Sequence, residues 1–234
     1  MGLIDEAVDR LKEMLITGEL GPGDRLPVEK DLAARLGVSR GTLREAVRTL
    51  SAMRVLSTRQ GDGTYVTSLA PDMLLAAMGF VVDLHQDATV LQFFQVRRML
   101  EPQAVALAAH RISEETLEEL EQLLVDAEEL VRQPEVDHTA LVENDLRFHA
   151  LVNEASGNPV LAAVVEGMSG GTTRARIWRG KTDAGAAERT VGEHRAILTA
   201  LRARDADRAR LRAETHIVEV EDWLIEHLSG GSPH

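Results

Sequence analysis

Several features are missing from this sequence of 234 residues, and each absence narrows the possible functions. There is no cysteine, so disulfide bridges and thiolate chemistry are excluded. Aromatic residues make up only 3% of the chain, and no apolar run is long enough to span a bilayer, so we expect no transmembrane helix. The first residues carry acids where a signal peptide carries bases, which predicts a soluble cytoplasmic protein.

The motifs of common enzyme classes are absent as well. The sequence has no HExxH zinc motif, no P-loop, no nucleophile elbow and no dinucleotide-binding fingerprint. A hydrophobic content of 44% and a mean hydropathy of −0.13 still allow a substantial core. These observations favour a folded binding protein over an enzyme.

The charge is distributed unevenly along the chain. The net charge is −12, yet residues 1–68 contain ten basic and ten acidic side chains and are therefore neutral. All of the excess acid lies in the remainder of the chain. Two regions with such different charge balance predict two regions with different tasks.

The first part of the chain has the pattern of a winged helix-turn-helix. A predicted helix at 4–18 is followed by a second helix that ends at Gly37 and by a third that Ser39 can cap. Two short β-runs at 55–59 and 64–67 flank a glycine-rich turn, which predicts a hairpin wing.

The third helix has a basic face. Positions 35 to 59 contain six arginines and a single acid, Glu45, and a compact module with this charge attracts DNA phosphates. An ordinary helix with a solvated arginine face is the alternative interpretation. In a recognition helix the N-terminal residues contact base edges, and Arg48 would extend the same face. The predicted contact residues are Ser39, Arg40, Gly41, Thr42 and Arg44.

After position 70 the pattern becomes entirely helical, so the predicted fold is mainly α. We expect a DNA-binding domain at 1–69, an all-helical effector-binding and dimerisation domain at 70–229, and a disordered tail at 230–234. The predicted helices lie at 71–83, 88–110, 113–132, 137–156, 159–180, 185–203 and 205–228.

Four side chains in the helical part could bind a metal ion. Asp145 and His149 are four residues apart and share the apolar side of one predicted helix, where a buried carboxylate needs a partner. His194 and His216 lie on the apolar stripes of two later helices, so the four groups could converge on one divalent ion. Alternatively, these histidines are hydrogen-bonded within the core without an ion. Four further histidines are assigned to the surface or to structural positions: His85, His110, His138 and His227.

The N-terminal part resembles the GntR family of transcription regulators. The resemblance rests on GPGDRLPVEKDLAARLGVSRGTLREAVR at 21–48 and QGDGTYV at 60–66. It implies that Arg40 and Arg44 contact the operator, that Lys30 joins them, and that Gly61 or Gly63 at the wing tip approaches the minor groove.

The chain departs from this family at one position. Members usually have Gly-Leu after the recognition helix, whereas this chain has Arg54-Val55. Because glycine takes a left-handed conformation at little cost, Arg54 must either adopt that conformation at a penalty or end the helix differently.

The helical part resembles the FCD ligand-binding domain of the FadR branch. The matching segments are VRRMLEPQAVALAA at 96–109, NDLRFHALV at 144–152, SGNPVL at 156–161, EHRAIL at 193–198, and His216. Many members bind a divalent cation through one Asp and three His, which correspond to Asp145, His149, His194 and His216. We expect Zn²⁺, with Mn²⁺ or Ni²⁺ as alternatives, and a small carboxylate effector. Arg97 is the candidate effector-binding residue, although an ion pair with Glu101 would explain it equally well.

The combined prediction is a homodimeric transcription regulator, acting as a repressor on a palindromic double-stranded operator. A small effector at the metal would modulate its grip on DNA, and no membrane is involved. One alternative is a constitutive DNA binder with an inert helical dimerisation domain. Another is a metal-dependent enzyme, for which Glu193 beside His194 is the only adjacent candidate for a general base.

Overall fold

The computed structural model describes residues 2–71 and 88–229 of the chain. Within them the protein is mainly α-helical with one two-stranded antiparallel hairpin, which confirms the predicted fold class. The chain divides into two compact units, Met1–Leu74 and Leu75–His234. Beyond residue 71, the predicted helix at 71–83 lies outside the described residues, and so does the predicted tail at 230–234.

The N-terminal unit consists of three helices and a hairpin around its own core. In chain order the elements are α1 Leu3–Ile16, α2 Glu29–Arg35, α3 Arg40–Ala52, β1 Leu56–Arg59 and β2 Gly63–Val66. Apolar side chains from every element bury themselves together, and each buried leucine contributes roughly 1.5–3 kcal/mol. Among the most buried are Ala7, Leu11, Leu32, Leu43 and Ala46.

Helix α3 begins with the predicted cap. The Ser39 hydroxyl accepts a hydrogen bond from the backbone N–H of Thr42 at 3.0 Å, which satisfies one of the free donors of the first turn. Leu43, Ala46 and Leu50 bury one side of the helix against the core. The arginines therefore lie on the solvent side.

Arg54 ends α3 in a left-handed conformation, with φ of +58°. Its N–H donates to the carbonyl of Ser51 at 3.0 Å, and the N–H of Val55 donates to the carbonyl of Leu50 at 2.9 Å. The helix thus ends in the manner usual for glycine, although the residue has a side chain. Such a conformation costs an L-residue about 1–2 kcal/mol, so the first of the two predicted possibilities is the one adopted.

Seven α-helices form the described part of the C-terminal unit. They are α4 Ala88–Arg111, α5 Glu114–Val131, α6 His138–Ala155, α7 Pro159–Ser169, α8 Thr173–Thr182, α9 Ala186–Arg202 and α10 Ala206–Ser229. Helix α4 packs along α10, α6 packs against α4 and α5, and α9 packs against α5 and α10. Helices α4, α6, α9 and α10 therefore border one interior.

The prediction of one helix at 159–180 is wrong. A 3₁₀ turn at Gly170–Thr172 divides this stretch into α7 and α8. Two consecutive glycines have low helix propensity, and the Thr172 hydroxyl donates to the carbonyl of Ser169 at 2.8 Å, which stabilises the turn. The break therefore ends α7 and begins α8 as a separate helix.

Across the described residues, no helix combines the length and the apolar character that crossing a bilayer requires.

Candidate functional site

Four potential metal ligands come together inside the C-terminal unit. Asp145 and His149 lie one turn apart on α6, His194 lies on α9, and His216 lies on α10. All four are buried, and one ligand atom from each lies within 4.8 Å of the others. The structure thus clusters the four residues that the sequence placed on three separate helices.

The spacing of these atoms suits a single ion. The Nε2 atom of His216 lies 3.2 Å from that of His149 and 3.4 Å from that of His194. The Oδ1 atom of Asp145 lies 3.4 Å from His194 Nε2 and 3.7 Å from His149 Nε2. Two atoms bound about 2.1 Å from one ion, at roughly tetrahedral to right angles, lie about 3.0–3.4 Å apart.

Carboxylates hold two of the imidazoles from behind. Glu193 Oε2 lies 2.7 Å from His216 Nδ1, and Glu101 Oε1 lies in close contact with His149 Nδ1. A carboxylate accepts hydrogen bonds, so each Nδ1 carries the proton and each Nε2 presents a lone pair. Two lone pairs that face each other at 3.2 Å repel unless a cation lies between them. The donor set therefore fits a divalent metal ion.

Burial disfavours the charged form of two of the imidazoles. Desolvation, followed by repulsion from the neighbouring imidazoles and from Arg176, lowers the pKa values of His194 and His216 well below the ordinary histidine range. Phe148 stacks on the His194 ring with 4.3 Å between ring centroids and fixes its plane. Neutral imidazole is the protonation state in which histidine binds metals.

Arg176 on α8 binds the second oxygen of Asp145. Its Nη1 donates to Oδ2 of Asp145, while Oδ1 faces the histidines. The side chain is only 8% exposed. The carboxylate is therefore shared between an arginine and the imidazole cluster, with one oxygen on each side.

A cavity of ≈ 70 Å³ adjoins the cluster and is bordered by Asp145, His194 and His216. Apolar side chains, Leu141 and Val191 among them, make up part of its wall. A water-sized group needs about 10–15 Å³ by this measure, so the cavity has room for roughly five such groups. That is the size of a small organic acid.

Arg97 lies behind the histidines and is not among the residues that line this cavity. Its guanidinium is 1% exposed and pairs with Glu101 at 2.8 Å, the ion pair that the sequence left open as the alternative. Burial opposes the charge of Glu101, but Arg97 and His149 hold the pKa of that carboxyl well below its usual range. An effector-binding role for Arg97 stays a prediction without support from its position.

Sequence reasoning missed the cations that do line the cavity, Arg176 and Arg179. Their separation of three residues on one helix was the available signal. It also assigned His138 to the surface or to a structural position, whereas His138 lines the cavity. Glu193 was considered only as a neighbour of His194, but it contacts His216 on the next helix.

In the N-terminal unit the predicted DNA-binding side chains lie on the outside. Arg40, Arg44 and Arg48 are exposed along α3, and so are Ser39 and Gly41, while Thr42 is half-buried. Arg44 Nε donates to Glu29 at 2.8 Å, and Arg48 pairs with Glu45 at 2.7 Å. Two of the three arginines are thus held by carboxylates of the same unit.

The predicted wing and Lys30 are accessible too. Lys30 and Gly61 are exposed, and Gly63 is half-buried at the end of the hairpin turn. Gly63 has φ of +150°, and a Cβ there would lie 2.6 Å from Arg25 Nε. Arg25 donates to the carbonyl of Asp62 and so ties the turn to the preceding chain. Only glycine fits this turn without displacing Arg25.

Each of the two units matches the model of a known protein family. Residues 3–66 match the model for bacterial regulatory proteins of the gntR family, and residues 92–219 match the FCD domain.

Individual relatives match over almost the whole chain. The galactonate operon transcriptional repressor of Escherichia coli is 30% identical over 95% of this chain and 96% of its own length. The HTH-type transcriptional regulator LutR of Bacillus subtilis is 29% identical over 90% of this chain and 96% of its own length.

A solved structure of a similar protein also matches most of the chain. The structure of a Streptococcus agalactiae GntR protein superposes with a TM-score of 0.73 and 30% identity over 94% of this chain and 99% of that one. The chain therefore belongs to the GntR family of bacterial regulatory proteins, within the group that carries an FCD domain, and is a transcription regulator rather than an enzyme.

Proposed function

We propose that this protein is a cytoplasmic repressor that binds a palindromic operator as a homodimer and whose grip on DNA is modulated by a small carboxylate effector at a divalent metal ion. The observation that carries this proposal is the buried cluster of Asp145, His149, His194 and His216 beside a cavity. The name of the galactonate relative supports repression as the mode of action.

The chemistry of the ligands supports Zn²⁺ as the ion. Three imidazoles and one carboxylate oxygen form a donor set that Zn²⁺ accepts readily, and Mn²⁺ or Ni²⁺ are the alternatives. Asp145, His149, His194 and His216 would hold the ion, with Glu193 and Glu101 orienting the rings from behind. A bound divalent ion supplies a Lewis-acidic point that attracts a carboxylate oxygen.

Charge balance supports an anionic effector. Three carboxylates lie around the cluster, those of Glu101, Asp145 and Glu193, and they more than offset the guanidinium groups of Arg97 and Arg176 before an ion is bound. Addition of a divalent ion leaves a local excess of positive charge in a buried region, where uncompensated charge is costly. A small carboxylate in the adjoining cavity would compensate it.

The exposed arginines of α3 support operator binding by the N-terminal unit. Arg40 and Arg44 lie in the first turns of the recognition helix, where an arginine fork matches guanine O6 and N7. Lys30, Arg48 and the wing glycines Gly61 and Gly63 would contact the backbone or the minor groove. Two copies of such a unit read two half-sites, which is why we assign a homodimer and a palindromic operator.

The test begins with selection of operator sequences from a random DNA pool on the purified full-length protein. We expect inverted repeats and two chains per duplex. Metal analysis should give one Zn²⁺ per chain, and removal of Zn²⁺ by a chelator should abolish the effect of small carboxylates on operator affinity. Protein that binds no stoichiometric metal would contradict the sensing half of the proposal. Operator affinity that is indifferent to carboxylates in the loaded protein would favour the constitutive alternative.

A further inference from the structure

Arg179 on α8 is a buried cation whose Nε has no hydrogen-bond partner. The residue is 5% exposed, and among residues 2–71 and 88–229 no group accepts a hydrogen bond from that nitrogen. The nearest carboxylate, Asp183, lies 3.6 Å from Nε and is already engaged by Arg189. A buried guanidinium left in this state carries a large desolvation cost.

Two other arginines of the interior each donate to a carboxylate. Arg97 Nε donates to Glu101 at 2.9 Å and Arg176 Nη1 donates to Asp145, although Nη2 of Arg97 has no partner. Arg179 differs from both because its Nε is 3.6 Å from the carboxylate beside it and donates no hydrogen bond to it. All three arginines belong to the same helical unit, so they share its interior and differ in the acceptors beside them.

Arg179 borders the cavity at a separate point from Arg176. Both arginines line it, and they are three residues apart on α8, so they follow each other along one face of the helix. Leu141, Ala187 and Val191 contribute apolar wall to the same cavity. A molecule in this cavity would therefore contact three kinds of surface: the cluster of candidate metal ligands with Arg176, the apolar wall, and Arg179.

We propose that Arg179 binds a second anionic group of the effector, so that the effector is a small dianion, such as a short dicarboxylate, rather than a monocarboxylate. This inference rests on the proposed function, in which the first carboxylate lies at the metal. The carbon chain between the two anionic groups would contact the apolar wall. The second anion would give Arg179 the charge-assisted hydrogen bonds that it lacks.

The electrostatics of the site agree with this assignment. Burial lowers the pKa of Arg179, with Glu193 and Asp183 opposing that shift. A guanidinium does not lose its proton in a protein, so a further anion beside it would relieve part of the remaining cost of burial. A dianion would also compensate more of the excess positive charge that a divalent metal brings to the interior.

The experiment compares acids that differ only in the second anionic group. Full-length protein loaded with Zn²⁺ is titrated calorimetrically with malonate against propionate, succinate against butyrate, and malate against 2-hydroxybutyrate. We expect at least one dicarboxylate to bind about tenfold or more tightly than its partner, as a buried charge-assisted contact provides. Zinc content is measured after each titration, so that removal of the metal by the ligand is recognised.

Substitution of Arg179 assigns the preference to this side chain. In Arg179→Met the advantage of the dicarboxylate should fall to about threefold or less, while the monocarboxylate binds as before. Arg174→Met is the matched control, since Arg174 is exposed on the same helix. Thermal unfolding of each variant reports folding, and the wild-type comparison stands even if Arg179→Met does not fold.

The outcomes separate this inference from the function on which it rests. Equal binding of both members of every pair overturns the dianion assignment and leaves a metal-bound monocarboxylate effector intact. A preference for dicarboxylates that persists in Arg179→Met overturns the role of Arg179. Failure of both series to bind the zinc-loaded protein overturns the inference together with the carboxylate effector.

Discussion

Glu193 on α9 holds His216 on α10 through a contact of 2.7 Å between its Oε2 and the imidazole Nδ1. The contact joins two helices and fixes the ring so that its Nε2 faces the other imidazoles. Glu193 is thus a positioning residue for the candidate ion, although it provides no ligand atom to the cluster. Its neighbour in sequence, His194, lies within the cluster itself.

Glu193→Gln should weaken Zn²⁺ binding by about 10–100-fold, because a neutral amide orients and polarises the His216 ring less well than a carboxylate does. Competition with a chromophoric chelator measures the affinity. Glu188→Gln is the matched control, since Glu188 is exposed in the first turn of the same helix and should leave the affinity unchanged. Equal zinc affinity in both variants would show that Glu193 does not position the ligand.

The combined substitution His194→Ala and His216→Ala should remove the ion and the effector response while sparing DNA binding by the metal-free protein. Half of the four candidate ligands are lost, whereas the recognition helix belongs to the other compact unit. Metal analysis and operator titrations with and without effector measure the two effects. Full zinc occupancy in this double variant would mean that the ligands are misassigned.

Arg44→Ala should weaken operator binding by about 1–3 kcal/mol, the value of a good arginine–guanine contact. The pair with Glu29 is lost too, but both side chains are exposed and the fold should not change. Fluorescence anisotropy with the selected operator measures the affinity, and circular dichroism monitors folding. Arg208→Ala, which removes an exposed arginine of α10, is the control. Operator affinity that is the same in both variants would refute the recognition-helix assignment.

Arg54→Gly should raise the free energy of unfolding by about 0.5–1 kcal/mol, because glycine adopts the left-handed conformation without the penalty of a Cβ but loses more chain entropy. Urea denaturation followed by circular dichroism measures the change. Arg54 donates no side-chain hydrogen bond within the described residues, so the substitution loses no side-chain contact of that kind.

Arg204 gives an informative contrast to Arg54. It ends α9 with a similar φ of +55°, but its side chain binds the carbonyl of Ile112 and, at 2.9 Å, the carboxylate of Glu114. In Arg204→Gly the loss of these side-chain hydrogen bonds should cancel the free energy gained by relaxing the backbone, so the free energy of unfolding should not rise. Stabilisation by both substitutions to a similar extent would show that these side-chain contacts contribute little.

The sequence predicted the members of the cluster because helical spacing and apolar neighbours decide which side chains face inward. Asp145 and His149 share a face of α6, and this follows from their separation alone. The distance of 3.4 Å between the Nε2 atoms of His194 and His216 does not follow from sequence spacing. It depends on how α9 and α10 pack, and only the resemblance to a metal-binding domain predicted that the two rings would meet.

The cations of the cavity escaped prediction for a related reason. Most arginines in helices are exposed to solvent, and only the packing of the helices shows that the side chains of Arg176 and Arg179 are buried. The division of 159–180 into α7 and α8 was missed as well, although Gly170-Gly171 was visible in the sequence. The packing of α8 beside the cluster follows that break.

The sequence alone predicted the two-part organisation, the recognition helix and the candidate ligands, because these depend on local periodicity, capping and residue type, and its motifs carried the resemblance to the family. Tertiary structure decided the rest. It placed the carboxylates of Glu101 and Glu193 behind the imidazoles, paired Arg97 with Glu101 instead of exposing it to the cavity, and left Nε of Arg179 without a hydrogen-bond partner. These contacts join helices far apart in the chain, and close approach between such helices is set by side-chain packing rather than by the pattern within any one of them.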